Sequence, residues 1–246
     1  MGTADLHMHS TWSDGREPIS HILAHVAHAT RLDVIAITDH DCIEGALHAR
    51  DLAARRWSRI EIVIGAEIST REGHLLALGI EHLIPAGLSM AETIHHVHDQ
   101  GGLAVVAHPL SRWCPSAARR VLEALANQPG DAPDGLETIN GSFAGMGSNR
   151  RAGMLNRRRF GWAALGGSDA HTLAAIGSSF TYFPGHSTAD LLAAIRERRT
   201  VACGGFWPTR EFVRCLLTRE RDAHSLTEAP AETFGDSIEV NAHPTA

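Results

Sequence analysis

The chain has 246 residues, 43% of them apolar and 20% charged, with a mean hydropathy of −0.10. That length and apolar content suffice for a self-supporting core and exclude intrinsic disorder over most of the chain, while no apolar run nears the roughly 18 residues of a membrane-spanning helix. The net charge of −6, from 28 acids against 22 bases that are all arginine, argues against a protein that holds duplex DNA through a basic face. The start, Met-Gly-Thr-Ala-Asp-Leu-His, shows no basic-then-apolar secretory pattern. Cys42, Cys114, Cys203 and Cys215 form no C-x-x-C pair, so reduced thiols and a cytoplasmic location are expected. Histidine is the outlier, with 17 copies.

In chain order, His7-Met-His9 reads as extended, and Pro18 opens a helix that runs to about Thr30. Asp33–Thr38 reads as a short buried strand, Glu44–Arg56 as a helix, and Ile60–Ala66 and His74–Gly79 as strands. Ser89 and Glu92 form a capping-box signature for a helix to about Gln100, stopped by Gly101-Gly102. Strands then follow at Leu103–Ala107, Leu136–Ile139 and Trp162–Leu165, and helices at Ser116–Asn127, Asn149–Phe160 and Thr188–Glu197. Repeated strand–helix units predict an α/β fold with a largely parallel sheet. A closed barrel is expected over an open doubly wound sheet, because no G-x-G-x-x-G follows the first strand. Only Glu67–Gly73 joins two of the strands, too little for a parallel crossover. A hairpin is expected there, and it carries His74 back beside Glu67. One domain is expected over residues 1–217, with 218–246, polar and containing Pro230 and Pro244, as a flexible tail.

Ionisable residues cluster at the predicted strand ends, where barrel enzymes keep their sites. His7 and His9 share a face of an extended segment, and Asp14-Gly15 adds a carboxylate at a turn. Thr38-Asp39-His40-Asp41 closes the second strand, Glu67 the third, and His108-Pro109 a later one. Gly166-Gly167-Ser168-Asp169-Ala170-His171 supplies a second same-face pair, with glycines that let backbones approach closely. Each motif alone is equally compatible with a cap or a satisfied polar residue. Their convergence on one rim points to a metal-binding site.

The motifs DLHMHSTWSDG, TDHD, GAEIST with GHLLALG, AHP and GGSDAH, in this order over residues 5 to about 205, resemble the PHP family, the polymerase and histidinol phosphatase metal hydrolases. The resemblance implies a distorted (β/α)7 TIM-like barrel holding up to three divalent metals (Zn²⁺, Mn²⁺ or Fe²⁺) at its carboxyl rim. Position by position, it implies His7, His9, Glu67 and Asp169 around the first metal. Glu67 would bridge to a second completed by His74 and His108, and Asp14, His40 and His171 would hold a third. Only about 25 residues separate AHP from the next strand, so the helical insertion of many family phosphatases is small or absent here.

Imidazole and carboxylate ligands suit such ions, and a bridged pair makes hydroxide available near neutral pH as the nucleophile. Three divalent ions against three carboxylates and a hydroxide leave a positive surplus that complements a phosphomonoester dianion; two ions leave none. The expected function is therefore hydrolysis of a phosphomonoester of a small metabolite or nucleotide. The alternatives are an exonuclease or oligonucleotide phosphodiesterase on the same centre, and a non-catalytic metal-binding docking domain. Arg112, Arg150 and Arg151, in loops near the rim, are candidates for gripping substrate phosphate. The Arg157–Arg159 run is expected to face solvent, as are His21, His25 and His28. His95, His96 and His98 are expected to be structural.

Overall fold

The computed structural model describes residues 1–57 and 59–213; the expected tail at 218–246 lies outside them. The elements are β1 (Gly2–Asp5), α1 (Ile19–Ala29), β2 (Val34–Ile37), α2 (Glu44–Arg56), β3 (Glu61–Thr70), β4 (Gly73–Leu78), α3 (Met90–Asp99), β5 (Leu103–Val106), α4 (Arg119–Ala126), β6 (Gly135–Asn140), α5 (Asn149–Leu155), β7 (Ala163–Gly167), β8 (Ser179–Phe183), α6 (Thr188–Arg196) and β9 (Val201–Gly204). One sheet of order β7-β6-β5-β4-β3-β2-β1-β8-β9 contains every strand. It is nearly closed. Met8, just beyond β1, bridges in parallel to Ala170, just beyond β7, and the Asp169 amide donates to the His7 carbonyl at 2.7 Å.

The sheet is mixed rather than largely parallel. β1–β2, β2–β3, β5–β6 and β6–β7 are parallel, whereas β3–β4, β4–β5, β1–β8 and β8–β9 are antiparallel. The expected hairpin is one cause: β3 and β4 pair from Gly65–Leu78 to Thr70–Gly73. The turn packs tightly. Gly73 has φ of +132°, and a Cβ there would lie 2.5 Å from the Ser116 carbonyl carbon. The other cause is the antiparallel pair β8 and β9, of which β8 carries an inverted pattern. Ser179 and Thr181 of β8 are fully buried, while Phe180 and Tyr182 lie on the outer side. A polar-in, apolar-out alternation escapes a search for buried apolar runs.

The helices follow their sequence signals. α1 buries Ile19, Ile22, Leu23 and Val26, leaving His21 and His28 exposed and His25 half-exposed. Ser89 caps α3 with the reciprocal Glu92 bond of a capping box. His95 and His98 of α3 lie 2.8 Å from Asp131 and Asp134, tying that helix to the segment before β6, which is a structural role. α4 begins three residues later than expected, and α5 gives way at Asn156–Phe160 to a π-helical turn. Among the described residues, no helix is long and apolar enough to cross a membrane.

Candidate metal centre

Because β4 runs against its neighbours, its first residues reach the rim where β1, β2, β3, β5, β6 and β7 end. All nine predicted residues meet there. His7 and His9 project from the continuation of β1, while Leu6 before them and Met8 between them are buried in the core. Glu67, fully buried, stands at the centre. Its Oε2 lies 3.2 Å from His7 Nε2, 3.3 Å from His9 Nε2 and 3.3 Å from His40 Nδ1. Its Oε1 lies 3.0 Å from His74 Nδ1 and 2.9 Å from His108 Nε2. Asp169 Oδ1 is 3.5 Å from His7 Nε2 and 3.3 Å from His9 Nε2. Asp14 approaches His171 at 3.1 Å, His9 Nδ1 at 3.5 Å and His40 Nε2 at 3.9 Å. His40 therefore sits nearer Glu67 than the Asp14–His171 pair with which the family resemblance grouped it.

The donor set has the character of a divalent-ion site. His7 Nε2 and both ring nitrogens of His9 are buried without a hydrogen-bond partner, although carboxylate oxygens lie 3.2–3.5 Å away. Donor atoms about 2.0–2.1 Å from one tetrahedral ion stand roughly 3.3 Å from each other, so the spacing fits an ion between them. His7, His9 and Asp169 form one such group; His7, Glu67 and His108 a second; His9, Asp14 and His171 a third; and His9, His40 and Glu67 a fourth. Burial alone would keep His7 neutral, but Asp169, Glu67 and Glu137 override it and raise its pKa well above the ordinary value. The same competition raises His9 to about 10: burial opposes, while Asp169 and Glu67 prevail. Buried carboxylates that pull protons onto imidazoles create a demand for positive charge, and a divalent cation supplies it.

A second layer aims these ligands, and sequence reasoning missed its main member. Glu137 of β6, 1% exposed, places Oε1 3.1 Å from His7 Nδ1 and accepts the His108 amide at 2.7 Å and the Asn140 side-chain amide at 2.9 Å. It thus orients one imidazole and the backbone of another, the carboxylate–histidine arrangement of metal sites. The signal was an acid inside the otherwise buried strand GLETIN. Ser142 and Asn140 donate to Asp169 Oδ2 at 2.7 and 3.3 Å, which leaves Oδ1 facing the histidines. Asp39 accepts Ser10 N, Ser10 Oγ and Ser13 Oγ at 2.6–2.7 Å and so fixes the loop between His9 and Asp14. Gly167 is required by close approach: a Cβ there would sit 2.3 Å from Glu137 Oε1 and 2.7 Å from His7 Cβ. His108 and Asp169 adopt left-handed backbone at φ +28° and +53°, strain of about 1–3 kcal/mol each that clusters at functional sites. Glu137→Gln is expected to lower metal affinity or turnover about 10–100-fold, measured by metal titration and steady-state kinetics.

A sequence profile of the PHP domain matches residues 5–132, just over half of the chain. The chain belongs to the PHP domain family of metal-dependent phosphoesterases. A second profile, PHP-associated, matches residues 147–200. This PHP domain is 37% identical over 148 residues to an uncharacterized protein of Methanocaldococcus jannaschii, a match covering 56% of this chain and 81% of that one. It is 32% identical over 129 residues to a 3′,5′-nucleoside bisphosphate phosphatase of Chromobacterium violaceum, covering 46% of this chain and only 44% of the phosphatase. The crystal structure of a two-domain protein containing a predicted PHP-like metal-dependent phosphoesterase, from Bacteroides vulgatus, shares the fold. Its TM-score is 0.66 at 19% identity, over 82% of this chain and 64% of that one.

The arginines are placed less simply. Arg112 is exposed in the loop after His108-Pro109, as expected. Arg150 and Arg151 lie in the first turn of α5 rather than in a loop. Arg158 and Arg159 are exposed, as expected, and line an open surface cleft together with Arg119 and Arg151.

Proposed function

We propose that this PHP protein hydrolyses a phosphomonoester of a small metabolite or nucleotide with divalent ions held at the barrel rim. The observation that carries the reading is the pose of Glu67, whose two oxygens face two separate sets of imidazoles. That is the position of a carboxylate bridging two ions. In this reading His7, His9, Glu67 and Asp169 would hold the first ion, and Glu67, His74 and His108 the second. Asp14 and His171, with His40 or with His9 Nδ1, hold a third. Bound ions, whether Zn²⁺, Mn²⁺ or Fe²⁺, supply Lewis acidity that activates water and polarises phosphoryl oxygens. The chain's own part is orientation. Glu137 holds His7, Ser142 and Asn140 turn Asp169, and Asp39 sets the reach of Asp14. Glu137 also enters the charge balance and reduces the positive surplus by one without abolishing it when three ions are bound. Arg112, Arg150 and Arg151 stand as residues that grip the substrate phosphate.

The test pairs metal analysis with a phosphoester panel of nucleoside monophosphates, nucleoside bisphosphates, histidinol phosphate and dinucleotides. Asp169→Ala and His9→Ala are expected to abolish turnover, whereas His25→Ala on the outer face of α1 stays within a few-fold of wild type. Comparable losses from all three variants contradict the ligand assignment. Full metal loading without hydrolysis of any ester favours a docking domain instead.

A further inference from the structure

The imidazoles of the metal centre differ in what holds their second ring nitrogen. His7 addresses Glu67 through Nε2 and has Nδ1 3.1 Å from Glu137 Oε1. His171 addresses Asp14 through Nε2 and has Nδ1 3.0 Å from the Asp169 carbonyl. His108, 3% exposed, places Nε2 2.9 Å from Glu67 Oε1, but its Nδ1 faces sulfur: Cys114 Sγ stands 3.3 Å away. Among the described residues no other hydrogen-bond partner faces that nitrogen.

The chain around Cys114 forms a loop that delivers this sulfur. Ser116 Oγ donates to the His108 carbonyl at 2.9 Å and accepts the Ser111 amide at 3.0 Å. The Leu110 amide donates to the Ala117 carbonyl at 3.1 Å, so the segment closes on itself. Closure takes left-handed backbone at Leu110, φ +63°, which is uncommon for a residue with a side chain. Pro115 disfavours helical backbone at Cys114. The β3–β4 turn packs on the same loop, since Gly73 approaches Ser116 too closely for a Cβ. The loop thus braces His108 through Cys114, and the strand start that bears His74 through Gly73. Those are the two histidines read as completing the second ion site.

We propose that Cys114 is a positioning residue whose sulfur accepts the His108 Nδ1–H and so aims Nε2 at the ion that Glu67, His74 and His108 would hold. The proposal rests on the metal-dependent phosphoesterase reading and deepens it. An imidazole that ligates through Nε2 carries its proton on Nδ1, and the acceptor of that proton fixes tautomer and ring orientation. Thiol sulfur is a weak acceptor and draws less on the N–H than the Glu137 carboxylate does on His7. The ion held through His108 is therefore the more weakly bound of the bridged pair.

The test titrates chelator-treated protein with Mn²⁺ in a calorimeter, without substrate. Wild type is expected to take up ions in steps of different affinity. Cys114→Ala and Cys114→Val are each expected to weaken the weaker step about 10-fold and to leave the tightest within about twofold. Cys114→Ser restores an acceptor and recovers most of the loss, while Cys203→Ser on β9 matches wild type. Valine fills the volume of the thiol and serine does not, so a merely space-filling thiol gives the opposite order, valine intact and serine impaired. That order overturns the proposal. So does unchanged binding in all three Cys114 variants, or equal weakening of every step with a lower thermal midpoint of the metal-free protein, which marks damage to the fold. A second readout is the Nδ1–H signal of His108 in zinc-loaded protein labelled with ¹⁵N-histidine, assigned by its loss in His108→Gln. It is expected in wild type and Cys114→Ser and absent, through exchange with water, in Cys114→Ala and Cys114→Val; its survival in those two overturns the role. Wild-type protein that takes up no ion overturns the metal-centre reading before any variant is compared. Ion uptake without hydrolysis of any ester overturns the phosphoesterase reading and leaves the role of Cys114 toward the ion standing.

Discussion

Glu67→Gln is expected to lower the metal content of the chain and to reduce turnover at least about a hundredfold. Glutamine keeps the shape of the side chain, so no cavity forms and the fold is retained. What changes is charge and donor type at the one group whose two oxygens face both sets of histidines. A neutral amide offers one oxygen, and its NH₂ turns hydrogens toward the other set, where a cation would sit. Losing a buried charge partner costs about 3–5 kcal/mol, and each 1.36 kcal/mol in a barrier is about tenfold in rate. Metal analysis by mass spectrometry and steady-state kinetics read the two effects together. Wild-type metal content with wild-type turnover in the glutamine variant would remove the bridging role.

Stripping divalent ions with a chelator is expected to abolish hydrolysis and lower the thermal midpoint, and both return on adding Mn²⁺, Zn²⁺ or Fe²⁺. Glu67, Asp169 and Glu137 are buried within one cluster, where without an ion only the surrounding imidazoles oppose their repulsion. Burial by itself would raise the Glu67 pKa; His7, aided by His108 and His74, holds it well below the ordinary carboxylate range instead. An ion at a hundred times its dissociation constant adds about 2.7 kcal/mol per site to the folded state. For a chain of this size each kcal/mol moves the midpoint by about 2–4 °C, so one site is worth roughly 5–10 °C. Differential scanning calorimetry with and without metal checks this. A midpoint indifferent to metal would contradict the centre as drawn.

Much of the candidate site is legible in the order of residues. His7 with His9, and Asp169 with His171, reveal themselves by alternation. His40, Glu67 and His108 stand where buried apolar runs end, and the seven residues Glu67–Gly73 are too few for anything but a hairpin. These are local statements, because strand periodicity and turn length fix which neighbours share a face.

Other features needed the packed barrel. Glu137 hides in GLETIN as one acid in a short strand; only the contact of β6 with the ends of β1 and β5 makes it the partner of His7 and His108. Thr181 faces inward and hydrogen-bonds the β7 backbone at Gly166, so β8 is no buried apolar run, and only its antiparallel pairing with β1 and β9 makes the sheet evenly mixed. Helical spacing already places Arg151, Arg158 and Arg159 on one face, but whether that face meets core, water or a cleft depends on where α4 and Leu110 stand. The amino-acid order by itself determined, through short-range geometry, an α/β fold with same-face histidine and aspartate pairs at strand ends and the hairpin that returns His74, while the resemblance to the PHP family implied the full set of nine side chains. The tertiary structure alone decided the two-sided pose of Glu67, its supporting carboxylate and the arginine cleft, because each depends on distances between segments that only closure of the sheet brings together.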